Sequence, residues 1–436
     1  MKKETVSIIS LGCPKNLVDS ERIVGDLIER NYRFTYNPDK ADIIIINTCA
    51  FLSSARKEAQ QVISDFIERK KEGKVKKVIV SGCYPSLDCK YLKKKYQLID
   101  GITGTNNLGD IIKAMEEGGI FVSNRTEEKV PPRMKLTLPH YAYLKIADGC
   151  NHLCSFCLIP SIKGCTHSLP IEELVQEVRV LALTGVRELI LIAQDTTQYG
   201  VDLYGTPKLV ELLKEIEKIE GIEWIRVMYT YPSTYVLNLL DYMKKSKKVV
   251  PYLDIPIQHI SNKILKSMKR GYTREFVTDI LKALRESGIV LRTSVIVGYP
   301  GETMEDFRRL ENFIEDFRFD HLGIFEYSNE KGTESFSLAK QVDGTTRSIR
   351  YEKLVDLEER IDFERNKSFI GKTIPVVVDF FSEREGLFIG RTIYDAPEVD
   401  NTVSIHEKVS EGQFYKGVVE NIAPHNLKVK IRRGKD

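Results

Sequence analysis

The residues of this sequence with the most chemistry to offer are its eight cysteines, at positions 13, 49, 83, 89, 150, 154, 157 and 165. Cys150, Cys154 and Cys157 lie in DGCNHLCSFCLIP with C-x3-C-x2-C spacing. Three thiolates within eight residues wrap one metal centre only from a loop. A structural zinc is one such centre, with Cys165 or His152 available as the fourth ligand. A second set is spread along the chain. Cys13 (in LGCPKN), Cys49 (NTCAF) and Cys83 (SGCYP) are separated by 36 and 34 residues, about one βα unit each. Three thiolates without a fourth would leave one iron of a cubane cluster open to another ligand.

The elements that must position these thiols come from the apolar pattern. Val6–Leu11, Asp42–Ile46 and Val78–Val80 are strand-like, and each is followed within a few residues by one cysteine of the spread set. Asn16–Arg30 and Ser53–Lys71 have helical spacing between them. Continuous β-branched runs separated by helices predict a parallel sheet covered on both faces. Loops past the strand ends of such a sheet share one rim, where ligands bind. No later strand of equal strength is legible. Glu117–Lys135, charged and carrying Pro131-Pro132, reads as a linker. Cys89, in LDCKYLKK, sits on an expected helix and reads as a packing residue.

A second β/α series starts near Tyr141. Its strands are expected at Tyr141–Ile146, Glu188–Ala193, Trp224–Met228, Tyr252–Ile257, Leu291–Val297 and His321–Glu326. Six parallel strands fall short of the eight of a closed barrel and predict an open, partial one. The narrow cysteine motif follows the first of them, at the face where such barrels carry active sites, which argues against structural zinc. After a charged helix over Ser348–Phe369, five short strands from Gly371 onward predict a small all-β barrel of OB type. Hydrophobic residues make up 42% and charged residues 29%, and 65 Lys+Arg against 62 Asp+Glu leave a net charge of +3, which does not by itself argue for nucleic acid. With no apolar leader and no run of about 18 apolar residues, the expectation is a cytoplasmic protein with no membrane association.

The motif C-x3-C-x-aromatic-C, with Phe156 as the aromatic residue, resembles the signature of the radical S-adenosylmethionine (SAM) superfamily. VIVGYPGET (Val295–Thr303) resembles that superfamily's glycine-containing segment on the adenine side. The arrangement over nearly the whole chain is similar to the methylthiotransferases. The resemblance implies an α/β protein of three parts. These are an N-terminal parallel-sheet domain (1–130), a partial (β/α)6 radical SAM barrel (136–367) and a C-terminal TRAM barrel, OB-like (370–436). It further implies two 4Fe–4S clusters, an auxiliary one on Cys13, Cys49 and Cys83 and a SAM-binding one on Cys150, Cys154 and Cys157. Phe156, Val295, Gly298 and Gln194 are the expected SAM contacts, and no side chain is expected to be catalytic, because the cofactors carry the radical chemistry. By the same resemblance, one open iron would collect a methylated sulfur, and the other would cleave SAM to the radical that takes hydrogen from an unactivated C–H. A reducing partner such as flavodoxin or ferredoxin is implied as well.

That family divides between tRNA adenosine modifiers and an enzyme that acts on the β-carbon of an aspartate in the twelfth small-subunit ribosomal protein. LGCPKN, IAQDTTQYG (192–200), RVMYTYP (226–232), DIPIQHIS (254–261) and GRTIYDAPEVD (390–400) resemble the ribosomal-protein branch. Gly371–Asp436 carries ten Lys/Arg and ten Asp/Glu, whereas a tail gripping tRNA phosphates should be basic. Asp395, Glu398 and Asp400 are therefore expected as an acidic surface patch that meets a basic ribosomal protein. Lys428, Lys430, Arg432 and Arg433 remain a local RNA contact, so tRNA stands as the alternative substrate. A non-catalytic zinc protein binding RNA or the ribosome is the third reading.

Some residues depart from the family. KGCTHSLP (163–170) has His167 and Leu169 where arginines are usual, with Lys163 as a partial substitute. Cys165 reads as an ordinary thiol, and His152 as a residue at the surface or beside the metal centre. Gln194, Asp195, Arg226 and His259 are placed at strand ends with expected pocket roles. Met228–Tyr235 either lines a substrate channel or packs the core.

Overall fold

The structure, a computed structural model, describes residues 4–123 and 132–432. It comprises two compact units. The first takes the described parts of Met1–Leu136 together with Asp148–His167 and Ser328–Phe336. The second takes Thr137–Ala147, Ser168–Tyr327 and the described parts of Ser337–Asp436.

The first unit is built on a parallel sheet of β1 (Thr5–Ser10), β2 (Arg33–Phe34), β3 (Ile43–Thr48), β4 (Lys77–Gly82), β5 (Gly101–Thr103) and β6 (Gly119–Phe121), in the order β2-β1-β3-β4-β5-β6. All of its pairings are parallel. The isoleucine run explains why. Ile44 and Ile46 pack with Val78, Val80, Ile63 and Phe66 on one face. Ile43 and Ile45 pack with Ile79, Ile23 and Leu27 on the other. A strand buried on both faces needs no polar alternation. The three expected strands are present; β2, β5 and β6 are additions. Each is only two or three residues long, too short for periodicity to register. β6 begins inside the expected linker, of which 124–131 lie outside the described residues.

One feature of the packing was not legible. Leu158 and Ile162, just beyond the C-x3-C-x2-C motif, are buried in the same apolar cluster as Ile44, Ile46, Val78 and Val80. The narrow cysteine motif is thereby anchored in the first unit.

The second unit contains β7 (Tyr141–Lys145), β8 (Glu188–Ile192), β9 (Trp224–Val227), β10 (Val249–Asp254), β11 (Val290–Val297) and β12 (His321–Glu326). They form one parallel sheet in chain order, and β7 does not pair with β12, so the barrel is open as expected. A helix, Gly344–Lys367, leads into a closed five-stranded barrel. Its strands are β13 (Thr373–Ser382), β14 (Leu387–Thr392), β15 (Thr402–Ile405), β16 (Phe414–Ala423) and β17 (Asn426–Ile431).

The small barrel meets the large sheet where the parallel strands begin, through buried charge. Arg391 pairs with Glu188 at 2.8 Å and with Asp379 at 2.9 Å. Asp379 also meets His140 at 2.8 Å. Asp400 accepts from Tyr252 (2.7 Å) and Arg292 (3.2 Å), and His321 lies 3.4 Å from Asp395. Burial works to raise the Asp400 carboxyl, but His321 and Arg292 hold it below the usual carboxylate range. The expected acidic surface patch is therefore corrected. Asp395 and Asp400 are buried charges that dock the small barrel, and Glu398 accepts from Tyr141 at 3.1 Å. Arg226 is corrected too. It is fully buried and donates to Glu188 (3.1 Å) and the Ile393 carbonyl (3.2 Å), with no pocket role. No helix among the described residues is long and apolar enough to cross a membrane.

Removing one member of a buried ion network leaves the others uncompensated in low dielectric. Arg391→Leu should therefore cost about 3–5 kcal/mol, read as a lowered urea midpoint. A loss below about 1 kcal/mol would contradict a docking role for this network.

Candidate active site

The order β2-β1-β3-β4 reverses direction between β1 and β3, and in open α/β sheets the crevice at such a point binds ligands. Cys13 and Cys49 follow the two strands that flank it, and Cys83 follows β4. Gly12, at φ +96°, brings the first two loops together. A Cβ there would lie 2.6 Å from Cys49 Cβ and 3.1 Å from its Sγ, so only glycine allows the approach. At Gly82, with φ +95°, a Cβ would lie 2.3 Å from Asn47 Oδ1 and 2.7 Å from the Thr48 carbonyl oxygen.

Asn16 ties the three loops together. This buried side chain donates to the carbonyls of Leu11 and Thr48, both at 3.0 Å, and its Oδ1 accepts from the Cys83 thiol at 3.5 Å. Its place in LGCPKN does not by itself disclose this role. Its signal was an asparagine in the first turn of a helix, three residues after a cysteine. Burial pushes the Cys83 thiol up to about 12, opposed by the Lys163 ammonium and reinforced by Cys13 and Cys49. Burial also raises Cys49, offset by the backbone N–H of Phe51 and reinforced by Cys13. The three thiols thus share one electrostatic environment, and metal binding there must displace a tightly held proton from Cys83.

The Cys150–Cys157 loop is in the same unit. Gly149, at φ +74°, passes so close to the Cys165 carbonyl that a Cβ would lie 2.1 Å from it. The Cys150 N–H donates to the Gly164 carbonyl at 3.1 Å and closes the loop. Backbone N–H groups point at two sulfurs, His152 to Cys150 and Ile159 to Cys157, each at 3.4 Å. Such bonds suit thiolates that carry metal. Phe156 is half-buried in the turn between the last two cysteines. Lys163 does not stand in for a ligand-binding arginine. Its ammonium is buried against Asp148 at 2.8 Å and Thr105 at 3.0 Å. Leu169 is buried, and its carbonyl accepts from Tyr199 at 2.8 Å, so no cation acts from that position. Cys165 is exposed, and Cys89 packs against the apolar cluster.

In the second unit Val295 is buried on β11, and Gly298 (φ +75°) follows it. Glu302 folds the turn back by accepting the N–H of Gly298 and, at 3.1 Å, that of Tyr299. Arg350 balances its charge at 3.4 Å. His259 is fully buried nearby, its Nδ1 accepting the Ser261 N–H at 2.9 Å and its Nε2 3.9 Å from Glu302. Gln194 is half-buried just past β8. Asp195 caps the turn over Thr196–Gln198 by accepting from the Thr197 N–H at 2.8 Å. In Met228–Tyr235, the Tyr231 and Tyr235 hydroxyls accept the N–H of Gly271 and Val210.

Residues 144–314 match the radical SAM superfamily, residues 5–104 the uncharacterized protein family UPF0004, and residues 370–431 the TRAM domain. These define a radical SAM enzyme with an N-terminal cysteine-bearing domain and a C-terminal TRAM barrel. The chain is 40% identical over 433 residues to the ribosomal protein uS12 methylthiotransferase RimO of Christiangramia forsetii, covering 98% of this chain and 94% of that one. It is 41% identical over 428 residues to the RimO of Aquifex aeolicus, covering 97% and 96%. The chain belongs to the RimO family of methylthiotransferases. Among solved structures, the radical SAM methyltransferase TsrM of Kitasatospora setae shares the fold, with a TM-score of 0.54 at 15% identity over 74% of this chain and 73% of that one.

Asn16→Ala should leave two buried carbonyls and a thiol without their partner, at a cost of about 2–4 kcal/mol. Thermal unfolding of the cluster-free protein reads this, and an unchanged midpoint would contradict the tie between the loops.

Proposed function

We propose that this chain transfers a methylthio group to the β-carbon of an aspartate in ribosomal protein uS12. The reading is carried by one observation, near-full-length identity of about 40% to uS12 methylthiotransferases. The six cysteines, three on separate loops at the sheet rim and three in the Cys150–Cys157 loop, support it. Cys13, Cys49 and Cys83 would hold an auxiliary 4Fe–4S cluster, and Cys150, Cys154 and Cys157 the cluster that binds SAM. When bound, these cofactors supply radical chemistry at a carbon whose hydrogen no side-chain base removes at neutral pH.

The chain's own residues bind and position. Asn16 and the two close-packed glycines hold the first thiol set in one crevice. The N–H groups of His152 and Ile159 face thiolate charge in the second. Phe156, Val295, Gly298 and Gln194 are the proposed SAM contacts. Glu302 fixes the turn that carries Gly298, and the Arg347 side chain packs where a Cβ on that glycine would lie. A ribosomal-protein substrate supports a cytoplasmic location, and a flavodoxin or ferredoxin is the proposed reducing partner.

Anaerobic reconstitution should give about eight irons per chain, falling to about four when Cys13, Cys49 and Cys83 are all changed to alanine. With SAM, a reductant and sulfide, the intact protein should replace one hydrogen of uS12 by a methylthio group, read as the corresponding mass increase, and leave tRNA unmodified. Modification of tRNA with unmodified uS12 would overturn the substrate; zinc with no iron would overturn the chemistry.

A further inference from the structure

Lysine is almost never fully buried unless paired, yet the Lys163 side chain is only 2% exposed. It ends the short helix Ile159–Lys163, whose Ile162 is seated in the first unit's core. Its ammonium meets Asp148 Oδ2 at 2.8 Å, Thr105 Oγ1 at 3.0 Å and Asp19 Oδ2 at 3.6 Å. These partners come from different places. Asp148 lies two residues before Cys150, so the pair with Lys163 clamps the two ends of the Cys150–Cys157 loop. Asp19 is on the helix Pro14–Glu29, which begins immediately after Cys13. Thr105 follows β5 on the rim that carries Cys49 and Cys83.

We propose that Lys163 is an electrostatic bridge between the two cysteine sites, a positioning residue that clamps the Cys150–Cys157 loop and sets the reduction potential of the centre on Cys13, Cys49 and Cys83. This rests on the reading that those three cysteines hold a cluster. Its physics is the field of a fixed charge in a dry interior, where screening is weak. A nearby cation favours the more negative, reduced state of a cluster, and a nearby carboxylate disfavours it. The signs of two substitutions are therefore opposed. Lys163→Met removes the cation and lowers the potential. Asp19→Asn removes a carboxylate and raises it. Lys163→Arg keeps the charge and leaves the potential near that of the parent.

The experiment uses the full chain with Cys150, Cys154 and Cys157 changed to alanine, so that only the auxiliary centre is reconstituted, and follows its EPR signal in a redox titration. About four irons per chain with opposed shifts in Lys163→Met and Asp19→Asn is the expected result. Four irons with no shift, or with shifts of the same sign, overturns the bridge and leaves the cluster reading intact. No iron in the background protein overturns the cluster reading and the bridge with it. Where Lys163→Met fails to fold, Asp19→Asn alone decides: a raised potential supports the bridge, and an unchanged or lowered one refutes it. A residue that served only to hold the loop would change iron occupancy without producing opposed shifts.

Discussion

A parallel sheet delivers the loop after every strand to the same edge, and both units depend on that constraint. In the first unit it gathers Cys13, Cys49 and Cys83 from three successive βα units onto one rim. The order reversal between β1 and β3 opens the rim there. The thiols need close approach of backbone, which Gly12 and Gly82 allow, and a polar anchor, which Asn16 provides. In the second unit the same constraint leaves the far ends of six strands with the turn at Gly298 and with Gln194, while the starts of the strands are covered by the TRAM barrel.

That division assigns polar residues to two different tasks. The buried charges where the strands begin, Glu188, Arg226, Arg292, His321, Asp379, Arg391, Asp395 and Asp400, satisfy one another and join two folding elements. Their coupling is structural, and none of them needs a substrate. The charge set around Lys163 differs in place and consequence, because it lies among the cysteine loops, with Asp148 two residues before Cys150 and Asp19 on the helix that begins next to Cys13. Buried ion pairs are poor sources of net stability, so their presence speaks for specificity of docking in one unit and for tuning of a centre in the other.

Much of this was legible in the sequence because its signals are local. Strand runs such as Asp42–Ile46, the helix Ser53–Lys71 and the C-x3-C-x2-C spacing each lie within one window. What failed was set by partners distant in sequence. Asp400 looks like a surface carboxylate until Tyr252 and Arg292, more than a hundred residues earlier, are packed against it. The acidic patch inferred from it was therefore absent, although the ribosomal-protein branch it was used to support agrees with the relatives. Arg226 looked like a pocket residue because its strand was known and its neighbour Ile393 was not. Lys163 read as a substitute for arginine because nothing local reveals Asp19. The strands β2, β5 and β6 were missed for want of length.

If this chain methylthiolates uS12 through two cysteine sites acting together, the mass of uS12 from cells with and without the gene reports it. On deletion uS12 should carry hydrogen in place of one methylthio group, and the intact gene should restore the group where a Cys83→Ala gene does not. A uS12 mass that is unchanged on deletion would contradict it.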